Sequence, residues 1–338
     1  MLRMGIVGTG GIANAHAAAA AAVEGVELVA VADVSAAAAT AFASTHGVPE
    51  WYGGVDELTA AEQLDIVSVC TWGNFHEAVT CALAESGRVR AILCEKPISL
   101  NAAECERMVA AAAANDVLLA EAFKFRHHPQ FLKLKELSDA GAVGEVRTLR
   151  TTFTTGGRRA RDTFRPEMDW RFDPQRGGGA LYDLGCYCLH AVRFIVGSEP
   201  LCAFAVADYH EICGIDFQDA IVLQFPGGVT AQITIGFGLD RSQEFEVLGT
   251  TGSLRADRAW NNEGHAVSVD ATMPDGVRAR YDFPETDQFH LQLRHMADCL
   301  LKGTTHRISP ADSIGQMRAT DAIFASMKSG QPEPLSAL

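Results

Sequence analysis

Positive charge is in short supply in this chain of 338 residues: 28 Lys and Arg against 42 Asp and Glu leave a formal net charge of −14. Nucleic acids and anionic membrane surfaces both need a basic face, so neither is an expected partner. Long apolar runs are missing too. None approaches the ~20 residues of a membrane span, and Met1 leads straight into a strand without a secretory leader, so a cytoplasmic protein is expected. Nine cysteines are an odd number and contain no Cys-x-x-Cys pair. That removes the common zinc and redox signatures, so no metal is expected, and the thiols read as reduced, small apolar side chains. Low-complexity linkers are also lacking, because the alanine-rich stretches carry helix propensity.

What is present is an alternation. Apolar strands at 2–7, 26–32, 64–70, 91–94 and 117–120 are interleaved with helices through about 23, 45, 85 and 115, which implies a parallel sheet with right-handed crossovers. After a helix at 129–139 the pattern changes to β-branched and aromatic segments at 145–155, 201–207, 220–225, 230–235, 243–248 and 266–269. The turns at 225–229 and 249–252 join some of these as hairpins. Helices at about 286–301 and 310–328 end the chain. The expectation is an α/β protein with a nucleotide-binding domain over 1–122 and a second α/β domain, with a large, mainly antiparallel open sheet, over 123–338.

Three segments carry chemistry. Gly8-Thr9-Gly10-Gly11-Ile12-Ala13 follows a strand and opens a helix, the context in which glycines permit a tight turn and close approach of a pyrophosphate to a helix N-terminus. Asp33, followed by Val34, ends the next strand, where a carboxylate accepts ribose hydroxyls. No Arg or Lys lies between Asp33 and Ala43 to receive a 2′-phosphate, so NAD is preferred over NADP. A purely structural glycine turn, or another adenosine ligand such as S-adenosylmethionine, remains open. Glu95-Lys96-Pro97 ends the buried run Ala91–Cys94, and the carboxyl ends of parallel strands are where ligands lie. In a helix from Leu181, Asp183, Tyr187 and His190 fall at i, i+4 and i+7, beside an apolar stripe of Leu184, Cys188, Val192 and Ile195. Spacing alone reads that helix equally well as satisfied polar residues near a domain interface.

Taken together, Gly8-x-Gly10-x-x-Ala13, Glu95-Lys96-Pro97 and Gly177-Gly178-Gly179-x-Leu181-x-Asp183-x-Gly185-x-Tyr187 resemble the glucose-fructose oxidoreductase, inositol dehydrogenase and rhizopine-catabolism (Gfo/Idh/MocA) family over nearly the whole chain. The resemblance implies a Rossmann domain, a catalytic Lys96 with Glu95 on the cofactor side, and a homodimer or homotetramer through the open sheet. It places Thr71, Trp72, Asn74 and His76 in the loop lining the nicotinamide, with Trp72 standing where a proline is usual. Many members have His at the place of Tyr187 and Asp at the place of His190, whereas Tyr at the first position resembles a subgroup of glucose-fructose oxidoreductase, dihydrodiol and xylose dehydrogenases and sugar ketoreductases. In that subgroup a Trp-Arg pair contacts the cofactor, which implies the same role for Trp170 and Arg171.

Such an enzyme oxidises a secondary alcohol by removing a hydride and a proton, and therefore needs a base. Tyrosine's ordinary pKa near 10 falls when an ammonium stands within ~4–6 Å. Tyr187 is then the acid/base with Lys96 as its electrostatic partner, and Asp183 and His190 orient the substrate. The economical alternative makes Lys96 itself the proton carrier. Arg126, His127, His128 and Gln288 are further polar groups suited to a polyhydroxylated ligand such as a sugar, cyclitol or keto-sugar. Two rival functions remain: an NAD-dependent glycosidase working by transient oxidation, and a non-catalytic NAD sensor.

Overall fold

Parallel strands need a crossover, and the helices between the first apolar runs supply it. The computed structural model describes residues 1–156 and 169–335. The chain runs β1 (Leu2–Val7), α1 (Ala13–Ala22), β2 (Val26–Ala32), α2 (Ala36–His46), β3 (Glu50–Tyr52), α3 (Val55–Ala61), β4 (Leu64–Val69), α4 (Gly73–Glu85), β5 (Val89–Cys94), α5 (Ala102–Ala114) and β6 (Leu118–Glu121). It continues with α6 (Pro129–Asp139), β7 (Val146–Thr155), α7 (Cys186–Val196), β8 (Cys202–Tyr209), β9 (Asp216–Gln224), β10 (Thr230–Phe237), β11 (Phe245–Gly249), β12 (Ser253–Ala256), β13 (Val267–Thr272) and β14 (Arg278–Phe283). Helices α8 (Gln288–Lys302) and α9 (Pro310–Ser329) and the short β15 (Glu333–Pro334) follow. These form two compact units, Met1–His127 with Gln288–Ile314, and His128–Asp287 with Gly315–Leu338.

The first unit holds a six-stranded sheet in the order β3-β2-β1-β4-β5-β6, parallel throughout. The order reverses between β1 and β4, the switch point at which doubly wound sheets bind ligands. Its strands bury Met4, Ile6, Ile66, Ala91 and Leu93 completely. Leu293, Met296 and Ala297 of α8 enter this same core, spaced three and four apart on one helical face. That packing puts 288–314 in the first unit, whereas the sequence pattern alone assigned everything after 122 to the second domain.

The second unit holds a nine-stranded sheet in the order β14-β13-β12-β11-β7-β10-β9-β8-β15. Every neighbouring pair is antiparallel except β7 and β10. The hairpin turns expected at 225–229 and 249–252 join β9 to β10 and β11 to β12. Strand β9 alternates buried and exposed residues along most of its length, as a sheet with one covered face requires. On the other face Phe204, Val206 and Val222 are exposed. The unforeseen elements are short or polar: β3 has 3 residues, α3 has 7, and β14 reads RARYDF.

Candidate functional site

The glycine turn leaves β1 at the carboxyl edge of the parallel sheet. Gly8 has φ 89°, and a Cβ there would stand 2.8 Å from the carbonyl carbon and oxygen of Cys70, so only glycine fits. Gly10 and Gly11 differ, because a Cβ at either would meet nothing within 4 Å. Packing therefore does not demand those two glycines; close approach by a ligand would. No side chain caps the N-terminus of α1, and no acidic residue lies in its first turn, which suits a pyrophosphate. Across the turn, Asp33 Oδ2 accepts from both the Thr9 N–H and the Thr9 hydroxyl at 2.8 Å. Its Oδ1 accepts from the Ser35 N–H at 2.8 Å, so three donors fix the carboxylate at the end of β2. A cavity of about 260 Å³ opens here, lined by Gly8, Gly10, Asp33, Thr71, Trp72 and Phe75 among others. Val34 is almost fully exposed at its edge, and Asn74 is exposed on the first turn of α4. The residues present fit a nicotinamide dinucleotide.

Lys96 is half-buried at the carboxyl end of β5, on the same sheet edge as the glycine turn. Residues around it hold the turn from several sides. The Glu95 N–H donates to Val69 O at 3.0 Å, and Ile98 N donates to Glu121 Oε1 at 3.0 Å. His76 is buried with Nδ1 2.9 Å from Pro97 O and Nε2 3.1 Å from Thr71 O. Burial lowers its pKa. The ring thus lies between the lysine turn and the Thr71 loop, and in its neutral form donates to one of the two carbonyls. Glu95 is buried as well, with Oε1 2.8 Å from His16 Nε2 and Oε2 accepting the Lys96 N–H at 3.2 Å. Burial opposes charge on both partners, yet Cys70 and Glu95 beside His16 raise its pKa, and His16 lowers that of Glu95.

In the second unit the helix expected from Leu181 begins differently. Residues Leu181–Gly185 form a π-helical turn before α7 starts, so the i, i+4, i+7 stripe of a regular helix is not what organises Asp183, Tyr187 and His190. Gly185 permits this close packing, since a Cβ there would stand 2.6 Å from Ile235 Cδ1. Asp216 Oδ2 accepts the Leu181 N–H at 2.6 Å, and a Cβ on Gly179 would collide with Asp216. The helix has no wet face: every residue from Cys186 to Arg193 is buried. Tyr187 packs edge-on to Phe153 at 5.7 Å and against Trp260 at 6.1 Å. Asp183 accepts from Arg171 Nε at 2.7 Å, and Arg171 also reaches Asp169 at 3.3 Å. The Arg171 guanidinium lies 4.7 Å from the Trp170 ring. His190 is completely buried.

The remaining candidates are engaged in their own packing. Arg126 donates to Asp312 Oδ2 at 3.0 Å and to Arg307 O at 2.8 Å. The His127 ring lies 5.1 Å from His295 and 5.6 Å from His306. His128 caps α6, its Nδ1 accepting the Gln130 N–H at 3.1 Å, and Gln288 is fully buried at the start of α8. Motif reasoning missed His16 and Asp216. For His16 the only signal was its place on the first turns of α1; its partner lies 79 residues away. Among the described residues no cluster of ligating side chains could hold a metal ion, and no helix is long and apolar enough to cross a membrane.

Comparison with known proteins decides the family. Residues 2–123 match the model of an oxidoreductase family with an NAD-binding Rossmann fold, and residues 131–255 match the GFO/IDH/MocA C-terminal domain. D-xylose 1-dehydrogenase (NADP(+)) 2 of Haloferax volcanii is 30% identical over 97% of this chain and 98% of its own. The chain belongs to the GFO/IDH/MocA family. Among solved structures of related proteins, the aldose-aldose oxidoreductase of Caulobacter crescentus, complexed with glycerol, superposes with a TM-score of 0.88 at 26% identity, covering 99% of both chains. A 3-ketoreductase of Actinomadura kijaniata, solved with NADP and TDP-benzene, gives 0.86 at 27% identity over 96% of this chain and 97% of its own. This GFO/IDH/MocA protein is accordingly an NAD(P)-dependent oxidoreductase.

Proposed function

We propose that the protein moves a hydride between a nicotinamide and a secondary alcohol or ketone of a sugar, cyclitol or keto-sugar. Supporting this is the emergence of Lys96 from β5 at the same carboxyl edge of the sheet as the Gly8–Ala13 turn. Bound NAD(P) supplies the hydride acceptor or donor. Tyr187 serves as acid/base at its Oη, with its ring held by Phe153 and Trp260. Lys96 serves as its electrostatic partner and as ligand of the alcohol oxygen. Asp183, oriented by Arg171, and His190 position the substrate. Thr71, Trp72 and Asn74 are assigned to the cofactor, as are Trp170 and Arg171. NAD is preferred, because a carboxylate fixed by Thr9 and Ser35 repels a 2′-phosphate; the xylose dehydrogenase relative is named for NADP(+). Exposed Phe204, Val206 and Val222 on the open sheet favour a homo-oligomer. The relatives named above are oxidoreductases, which supports this reading over the glycosidase and the sensor.

The test is NADH and NADPH absorbance against a panel of pyranoses, cyclitols and their ketones. With the substrate found, Tyr187→Phe and Lys96→Ala should each lower kcat by about 100-fold or more while NADH still binds. Undiminished turnover in both variants overturns the assignment.

A further inference from the structure

His16 lies behind the dinucleotide turn, and the motifs give it no role. Its ring is 2% exposed and held on every side: Nδ1 is 3.1 Å from Ser68 Oγ, Nε2 is 2.8 Å from Glu95 Oε1, and Phe289 meets it edge-on at 5.7 Å. The other Glu95 oxygen accepts the Lys96 N–H. One carboxylate therefore joins the helix that follows the glycine turn to the backbone of the proposed catalytic lysine.

We propose that His16 is a positioning residue for Lys96: it fixes the orientation of Glu95 behind the lysine and cancels its charge. The inference rests on reading Lys96 as the acting group. A buried carboxylate without a counter-ion is strongly disfavoured and would take its compensation from the nearest cation. Lys96 is electrostatically coupled to Glu95 already. With His16 present the carboxylate is balanced by a partner other than the lysine. Among the other titratable groups near the pair, burial raises the pKa of the Cys70 and Cys94 thiols and lowers that of His76, and Cys70 shares with Glu95 in raising that of His16. Glu121 directs one oxygen at the Ile98 N–H, and Lys124 lies 4.8 Å over the far partner Phe289.

The chain has only six lysines, so reductive ¹³C-methylation of the full-length protein resolves Lys96 by NMR, its resonance being the one lost in Lys96→Arg. The titration itself needs no substrate. His16→Gln removes the counter-charge, and the Lys96 titration midpoint should rise by about one pH unit; an unmoved midpoint overturns the proposal. The double variant His16→Leu/Glu95→Leu removes both charges and keeps an apolar filling. Its midpoint should stay near the parent value, while kcat falls about 10- to 100-fold through loss of orientation, with KM for NADH within about twofold. If His16→Gln does not fold, the double variant decides, and an unchanged kcat there overturns the proposal. A Lys96→Ala variant that still turns over would instead remove the reading of the lysine, an outcome the NMR titration does not share.

Discussion

Arg171 Nε lies 2.7 Å from Asp183 Oδ2, tying the short Trp170–Phe172 turn to the π-helical turn that leads into the helix of Tyr187. The Asp183 side chain is only 6% exposed, so the ion pair is largely desolvated on that side. It sets a guanidinium against a largely buried carboxylate.

Arg171→Ala should therefore lower stability by about 2 kcal/mol, the scale of a lost hydrogen bond to a charged group. Thermal melts will show it as a lower Tm. Arg171→Ala/Asp183→Asn should recover part of the loss, because the largely buried charge is gone. A double variant no better than the single one contradicts this account.

The two glycines of the dinucleotide turn should separate in their effects. Gly8→Ala forces a Cβ against Cys70 at positive φ, and should lower the Tm by the equivalent of 1 kcal/mol or more, on the order of a left-handed backbone penalty. Gly10→Ala meets no protein atom, so its Tm should match the parent while NADH affinity, followed by fluorescence titration, falls.

Asp33 sets cofactor choice through charge. Asp33→Ser should swing the ratio of kcat/KM for NADH over NADPH toward NADPH by about 10- to 100-fold, the equivalent of one or two charged hydrogen bonds. Steady-state kinetics with both cofactors measure it. An unchanged ratio means that another group reads the ribose.

Acid should weaken the first unit. His127, His295 and His306 pack ring against ring, and burial lowers the pKa of each, that of His306 to about 4. A depressed histidine pKa means the unfolded chain binds the proton first. The stability these rings contribute is thus complete above about 6.5, the unfolded value, and declines as pH falls below it, for His306 down to about 4. Over that range His306 accounts for up to about 1.4 kcal/mol per pH unit. Urea midpoints at pH 7 and pH 5 should differ accordingly, and His306→Phe should flatten the dependence.

The readable part of this protein is local. The Gly8–Ala13 turn, Asp33 at the end of β2, the Ser35 cap and the strand ending in Glu95-Lys96 are legible because the backbone near a glycine or a strand end restricts which residues serve. The hairpins of the second sheet are legible for the same reason. Contacts distant in sequence left no periodic trace. Arg126 reads as a substrate-facing cation, yet its guanidinium meets Asp312, 186 residues away. His76 reads as a nicotinamide neighbour, yet both its nitrogens face backbone carbonyls.

Sequence alone determined the family, the dinucleotide turn and the residue types available for proton transfer, since these follow from short motifs with fixed backbone demands. Tertiary structure decided which polar groups are already engaged, that α8 completes the first core, and that the helix bearing Tyr187 opens with a π turn. Each of those depends on side chains that meet only once the chain has closed on itself. Burial then sets their charge as much as their chemistry does, and so His16 acquires a role that no spacing in the chain announces.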